Sequence, residues 1–367
     1  MRKISVVNLG KQYERLQNEI DQAISRVIKS GQFILGEEVL KFEEELARYM
    51  GAKHVIGVSN GTDALVLSLR ALGISTGDEV ITSAFSFFAS AEAIASLGAR
   101  PVLVDIDLDS YNIVVAKVEE KITKKTKAIL PVHLYGNPAD MKPLLKVAGK
   151  HKLKVIEDTA QALGAEVGGR KVGTFGNVGI TSFFPTKNLG CFGDGGAVFT
   201  DDDQIAEEIR LLRVHGAKKK YWHERIGYNH RLDALQAGIL RVKLPYLNGW
   251  NERRREIAKR YSDCLKGIVA VPTIQEGKRH IFHQYTIRTP RRDALQGFLR
   301  ERGIETLVHY STPLHLQPVL AHLSYKEGVF PESEKAGREV LSLPIYPELE
   351  EEEVEYVCDT IQEFFQD

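Results

Sequence analysis

The sequence predicts an α/β fold, with a mostly parallel central sheet flanked by helices over residues 1–245 and a smaller α+β domain over 246–367. Three observations predict it. Short apolar runs alternate with amphipathic segments, the rhythm of strands joined by helical crossovers. With 367 residues and 43% hydrophobic content, the chain exceeds what one core usually organises, so two domains of unequal size are expected. Near Pro245 the rhythm gives way to a long charged helix and an isolated strand.

From residue 13, YERLQNEIDQAISRVIKSG places Leu16, Ile20, Ile24, Val27 and Ile28 on one helical face, with Gly31 just past its end. GEEVLKFEEELARYMG opens with acids, which suit the positive start of a helix, and stops at Gly51. HVIGVS, DEVITSA, RPVLVDI, TKAILPVHL and LKVIEDT read as buried strands, with TDALVLSLRALG and SAEAIASLG as helices between them. Beyond Pro245 follow the charged helix NGWNERRREIAKRYSDCL, the strand FHQYTIRT, the helix RRDALQGFLRERG and a last helix after Pro347. No internal repeat or low-complexity linker is present.

Lys+Arg and Asp+Glu both number 49, so no overall basic field exists to gather nucleic acid or an anionic membrane. The runs Lys218 to Lys220 and Glu348 to Glu355 read as solvated surface. Cys191, Cys264 and Cys358 are far apart in sequence and odd in number, which argues against a disulfide framework or a thiolate metal site and fits a reducing cytoplasm. The opening MRKISVVNLG has too short an apolar run for an export signal, and no run approaches the roughly 18 residues of a spanning helix.

Ligands of doubly wound sheets gather beyond the carboxyl ends of the strands, so polar residues following apolar runs come first. VSNGTDAL leaves a strand, turns through Asn60 and Gly61 and enters a helix at Thr62; such a turn can cradle phosphate and is equally an ordinary N-cap. KVIEDTAQALGA sends Glu157 and Asp158 out of a strand end. Lys187 follows the apolar ITSFF and precedes the glycine-rich GCFGDGGA, an unusual setting for a charge. SAFSFFAS adds Phe85, Phe87 and Phe88 at a strand-to-helix junction. A phosphate cradle, a strand-end acid, a partly desolvated lysine and an aromatic are the parts a pyridoxal phosphate enzyme needs: the amine bonds to the aldehyde, and the acid keeps the pyridine nitrogen protonated. VGGRKVGTFGNVG lacks the strand-turn-helix frame of a dinucleotide fingerprint, and His309 with His315 lacks metal-ligand spacing, so no metal is expected.

At these residues the chain resembles the pyridoxal phosphate-dependent nucleotide-sugar aminotransferases of the DegT/DnrJ/StrS type. The likeness runs from SGQFILGEEVLKFEEELARYMGAKHVIGVSNGTDAL through EDTAQALGAEVGGRKVGTFGNVGITSFFPTKNLGCFGDGGAVFTDD and IGYNHRLDALQAGILRVKL to HYSTPLHLQP and LSLPIYPEL. The resemblance implies the aspartate aminotransferase fold and a homodimer with shared active sites. It also implies Lys187 as the cofactor-bearing lysine, Asp158 as partner of the pyridine nitrogen, and Gln161 as neighbour of the ring hydroxyl. Gly61, Thr62 and Ser182 match the phosphate site, Phe87 the ring-stacking aromatic, and Asn229 an asparagine reaching the phosphate across the dimer. Phe33, Arg231, His309 and Tyr310 lie in segments that line the sugar site; Arg231 is equally an interface ion pair. The implied reaction passes the amino group of L-glutamate, through pyridoxamine phosphate, to a keto group of a dTDP- or UDP-linked sugar. SFFPTKNLGCFGDGGA with EDTAQALGA is more similar to members acting at C3 than at C4. The rival readings are a 4-keto sugar aminotransferase and, from another class, a non-catalytic pyridoxal phosphate-binding regulator.

Overall fold

The structure is a computed structural model and describes residues 3–366; the outermost positions of the two domain ranges, 1, 2 and 367, lie outside the described residues. Seven strands form the central sheet: β1 (His54–Val58), β2 (Glu79–Ser83), β3 (Arg100–Val104), β4 (Thr126–Leu130), β5 (Lys154–Asp158), β6 (Val178–Ser182) and β7 (Gly196–Thr200). Their order is β1-β7-β6-β5-β4-β2-β3. Only β7 runs against the others, antiparallel to both β1 and β6.

The five apolar runs of the sequence become β1 to β5, while β6 and β7 carry no comparable signal. Glycine explains β6. A Cβ on Gly179 would lie 2.0 Å from the carbonyl oxygen of Gly173, so the backbone passing beside the strand excludes every side chain there. A glycine inside so short a strand erases its β signal.

Helix α1 (Leu9–Ser30) starts ahead of the predicted segment, because the Asn8 side chain accepts the Lys11 N–H at 3.0 Å and caps it there. It ends at Gly31 with φ 66°, and α2 (Glu37–Met50) ends at Gly51 with φ 72°, both left-handed caps that glycine adopts freely. Leu16, Ile20 and Val27 of α1 are buried, but Ile28 is 57% exposed, so the inward face is narrower than the periodicity implied. Helices α3 (Gly61–Ala71) and α4 (Ala89–Ser96) cover the sheet after β1 and β2.

A second hydrophobic cluster gathers Ile257 and Tyr261 from helix Leu247–Leu265, Leu295 and Leu299 from helix Arg292–Glu301, and Val357 and Ile361 from helix Glu351–Gln366. Each fully buried leucine or isoleucine there contributes about 1.5–3 kcal/mol. The strand read as isolated, Tyr285–Arg288, pairs antiparallel with Val340–Leu343. Ile4 also belongs to this cluster, through a bridge to Ile304, so the chain start packs with its last third. The acidic run, expected from its charge to be solvated surface, is only partly so: Glu348 and Glu353 are buried. The Glu353 carboxyl accepts the Glu350 N–H at 2.9 Å, closing the first turn of the last helix.

Glu157, fully buried, lies on the opposite face of β5 from Asp158. Its carboxyl accepts the N–H groups of Gly173 at 2.8 Å, Phe175 at 2.6 Å and Gly176 at 2.7 Å. The glycine-rich stretch around 173 is thus a loop folded onto a buried acid. Glu157→Ala strands these donors, so a loss of about 3–5 kcal/mol is expected in denaturant unfolding; an unchanged midpoint would show that the loop stands without it.

Candidate active site

Strands β1, β5 and β6 are mutually parallel, so their carboxyl ends share one edge of the sheet. Just past β1 the Asn60 side chain accepts the Asp63 N–H at 2.8 Å and starts α3. A Cβ on Gly61 would sit 2.8 Å from Ser182 Cβ, and one on Gly196 would sit 2.4 Å from the Asn60 carbonyl oxygen. The turn is therefore wedged against the end of β6 and the start of β7, with Ser182 beside it. The first N–H groups of a helix have no intrahelical acceptor, and the helix dipole favours an anion there.

Asp158 ends β5, buried, with Oδ1 accepting the Ala160 N–H at 2.9 Å. Burial raises its pKa above the ordinary aspartate value; the Ala160 N–H and the charge of Lys187 oppose that rise. Lys187 follows β6, in a turn closed by its own N–H to the Phe184 carbonyl at 2.8 Å. Gly190 continues the turn at a point where a Cβ would come within 2.2 Å of the Pro185 carbonyl oxygen. Burial lowers the Lys187 pKa to about 8, against the pull of Asp158. In the cofactor-free protein, labelling of Lys187 by acetic anhydride should therefore rise with pH to a midpoint near 8. A midpoint near the ~10.4 of an exposed lysine would mean that the amine is solvated.

Gln161 is held at both ends: Oε1 accepts the Tyr135 N–H at 2.7 Å, and Nε2 donates to the Tyr310 hydroxyl at 3.0 Å. Phe87 is 57% exposed and faces Tyr310 with ring centroids 5.9 Å apart, whereas Phe85 is in the core and Phe88 is half-buried. Together these groups line a cavity of about 590 Å³ that includes Gly61, Thr62, Phe87, Asp158, Gln161, Ser182, Lys187, His309 and Tyr310.

The other expected contacts lie elsewhere in the chain. Phe33 is 45% exposed and its carbonyl accepts the Ala234 N–H at 2.9 Å. Asn229 is exposed and bridged to Val214, and Arg231 is half-buried, with its Nε unpartnered among the described residues. His230 Nε2, 3.5 Å from Asp63, brings this segment alongside the cavity without placing Asn229 or Arg231 in its wall. His315 is buried against Phe330 and lies 3.0 Å from Glu334, a packing cluster apart from His309. Thr186, Asp194, His283 and Gln284 also line the cavity, beyond the residues that the sequence pattern marks. Thr186 precedes Lys187 in its turn and Asp194 lies in the glycine-rich stretch that follows, so the lysine and its glycines are their signal. His283 and Gln284 precede a strand, where a search of strand carboxyl ends does not look.

The donor set fits pyridoxal phosphate: a helix start with an adjacent hydroxyl for an anion, an amine of lowered pKa, a buried carboxyl and an aromatic wall share one cavity. No described helix is long and apolar enough to cross a membrane.

Residues 14–362 match the model of the DegT/DnrJ/EryC1/StrS aminotransferase family. The chain is 53% identical over 366 residues to a pleiotropic regulatory protein of Geobacillus stearothermophilus, covering 99% of this chain and 98% of that one. It is 45% identical over 364 residues to the dTDP-3-amino-3,4,6-trideoxy-alpha-D-glucose transaminase of Streptomyces venezuelae, covering 99% and 96%. Among solved structures, S. venezuelae DesV in complex with a ketimine intermediate matches with a TM-score of 0.98 and 44% identity over 100% of both chains. NtdA of Bacillus subtilis with bound cofactor PMP matches with a TM-score of 0.92 and 33% identity, over 100% of this chain and 86% of that one.

Proposed function

Because the chain belongs to the DegT/DnrJ/EryC1/StrS aminotransferase family and depends on pyridoxal phosphate, we propose that it moves the amino group of L-glutamate to the C3 keto group of a dTDP- or UDP-linked sugar. The observation that carries this reading is the shared cavity of Lys187 and Asp158 at the carboxyl edge of the sheet. The C3 position is supported by the 3-amino sugar in the name of the Streptomyces venezuelae transaminase. In this reading the product is an amino sugar for cell-surface polysaccharide, such as lipopolysaccharide O-antigen, made in the cytoplasm.

When bound, pyridoxal phosphate supplies an aldehyde to carry the amino group and a ring to store the electron pair released at the amino acid α-carbon. The N–H groups at Gly61 and Thr62 and the Ser182 hydroxyl would hold its phosphate. Asp158 would face the ring nitrogen, where an ion pair at about 4 Å with an effective dielectric near 20 is worth roughly 4 kcal/mol. Phe87 would cover one ring face, and Gln161 would sit beside the ring hydroxyl. Lys187 Nζ would carry the aldehyde at rest and, once freed, take the α-proton and return it. Asn229, Arg231 and Phe33, outside the cavity of their own chain, fit a homodimer in which each subunit completes the other's sugar and phosphate site. His309 and Tyr310 would line the sugar end within the same chain.

L-Glutamate should bleach the visible band of the purified protein, and 2-oxoglutarate should restore it. Matched 3-keto and 4-keto nucleotide sugars, offered to the aminated form, decide the position; faster turnover of the 4-keto sugar would overturn the C3 reading. A band that glutamate leaves unchanged would favour the non-catalytic regulator, a reading that the name of the Geobacillus stearothermophilus relative raises and the retained lysine–carboxylate pair opposes. Sedimentation of a monomer at working concentration would remove the shared site.

A further inference from the structure

A second lysine is buried outside the cavity. Lys243, the last residue of helix Ala234–Lys243, is 1% exposed. Its Nζ donates to the Gly190 carbonyl at 2.8 Å and lies 4.5 Å from the centre of the Phe192 ring. Gly190 is buried, and no backbone N–H donates to its carbonyl among the described residues, so the Lys243 ammonium is the donor that satisfies it. Gln236 stands two turns earlier on the same face of that helix and holds Phe192 by both of its backbone groups. Gln236 Oε1 accepts the Phe192 N–H at 2.8 Å, and Nε2 donates to the Phe192 carbonyl at 3.2 Å. Within the turn, the Cys191 N–H donates to the Phe183 carbonyl at 2.8 Å, and the Cys191 thiol lies 3.0 Å from the same oxygen. The stretch 183–192 that bears Lys187 is thus closed on itself and fastened at its far end to one helix.

We infer that Lys243 and Gln236 are positioning residues: they fasten the turn that bears Lys187 to helix Ala234–Lys243 and so fix where the Lys187 amine stands in the cavity. A charged donor suits the task at 243, because its hydrogen bond to a carbonyl is stronger than one from a neutral group. Burial lowers the Lys243 pKa to about 8, with Cys191 and Glu348 opposing, so the group is an ammonium at neutral pH. Gly190 follows Lys187 by three residues and packs against Pro185, so the grip on its carbonyl reaches both sides of the lysine. The same helix opens shortly after Asn229 and Arg231, and therefore holds the lysine turn and the segment proposed to complete the partner's site in one frame. The inference rests on Lys187 being the working amine, but its test uses the cofactor-free full chain and reads no amino transfer, so its failure leaves the proposed reaction standing.

Lys243→Met keeps an unbranched apolar stem and removes the donor, and exchanging a buried charge for an apolar side chain of similar volume leaves a fold standing. Amide hydrogen exchange at pH 7, read by mass spectrometry, should be about tenfold faster in the peptide 183–192 of this variant, with the peptide of β5 at the rate of the parent. Faster exchange in both peptides alike would show that Lys243 serves global stability alone, and an unchanged peptide 183–192 that the turn stands without it; either overturns the inference. The Lys187 labelling midpoint gives a second reading. Burial and Asp158 set the Lys187 pKa, so losing the charge of Lys243 does not act on it directly. A loosened turn lets water reach the amine, and the midpoint should rise by about one unit from its value near 8. A midpoint equal to that of the parent overturns the inference. Gln236→Leu, at a half-buried position, removes the other fastening and should quicken exchange in the same peptide alone. It decides the matter should Lys243→Met not fold, and exchange at the parent's rate in 183–192 would again overturn the inference.

Discussion

Lys187→Ala is expected to lower amino transfer by about 10⁴-fold or more, because in the proposed mechanism one Nζ would serve both as attachment point and as acid/base. No other lysine lines the cavity among the described residues, so no neighbour can take over. The fold should survive. Burial already lowers the Lys187 pKa to about 8, below its value in the unfolded chain, so folding disfavours the ammonium. The sign follows: between about 8 and the unfolded value near 10.4 the unfolded chain binds more protons, and stability rises with pH there. Below about 8 the buried charge is a cost in full, and the cofactor-free alanine variant should melt at or above the temperature of the parent at neutral pH. Single-turnover kinetics with glutamate and a parallel thermal scan check both halves. Turnover within tenfold of the parent would place the chemistry elsewhere.

Asp158→Asn should reduce amino transfer by about 10²–10³-fold, the loss expected when roughly 3–4 kcal/mol of ion pairing to a protonated ring nitrogen is replaced by a neutral contact. The substitution keeps the shape and an oxygen that can accept the Ala160 N–H, so the backbone past β5 need not move. In the cofactor-free protein the effect on stability should be opposite. Burial raises the folded-state pKa of Asp158, so the native chain holds the proton more tightly than the unfolded one, and stability from this group falls as pH climbs from the unfolded value through the raised one. The asparagine variant should therefore gain most over the parent at neutral pH and nothing below about pH 4, which scans at the two values will read. Equal stabilities at both pH values would mean that solvent reaches the carboxyl.

The cost of burying charge also decides which parts of the site can be read before folding. Lys187 is legible because a charge between apolar ITSFF and a glycine run contradicts its surroundings, and Asp158 because it ends an apolar strand. Glu157, its neighbour, has the same local appearance and a structural role, since it holds the loop at 173–176 by backbone N–H groups, which no sequence pattern marks. His283 is hidden because the atoms that orient it, on Asn188 and Asn251, are remote in sequence. Sequence likeness groups Phe33 and Arg231 with His309 and Tyr310, yet only the latter two line the cavity of their own chain.

By itself the sequence determined the α/β class, strands β1 to β5, the glycine ends of α1 and α2, and the residue types able to do amine chemistry. These are local properties, set by side-chain period, backbone freedom at glycine and the conflict between charge and apolar neighbours. Only the tertiary structure decided the reversed strand β7, the backbone contact that requires Gly179, the burial of Glu348, and the contact of His283 with Asn188. Each depends on which atoms meet through space after the chain has crossed over several times, and close packing fixes those meetings only when all the elements are in place.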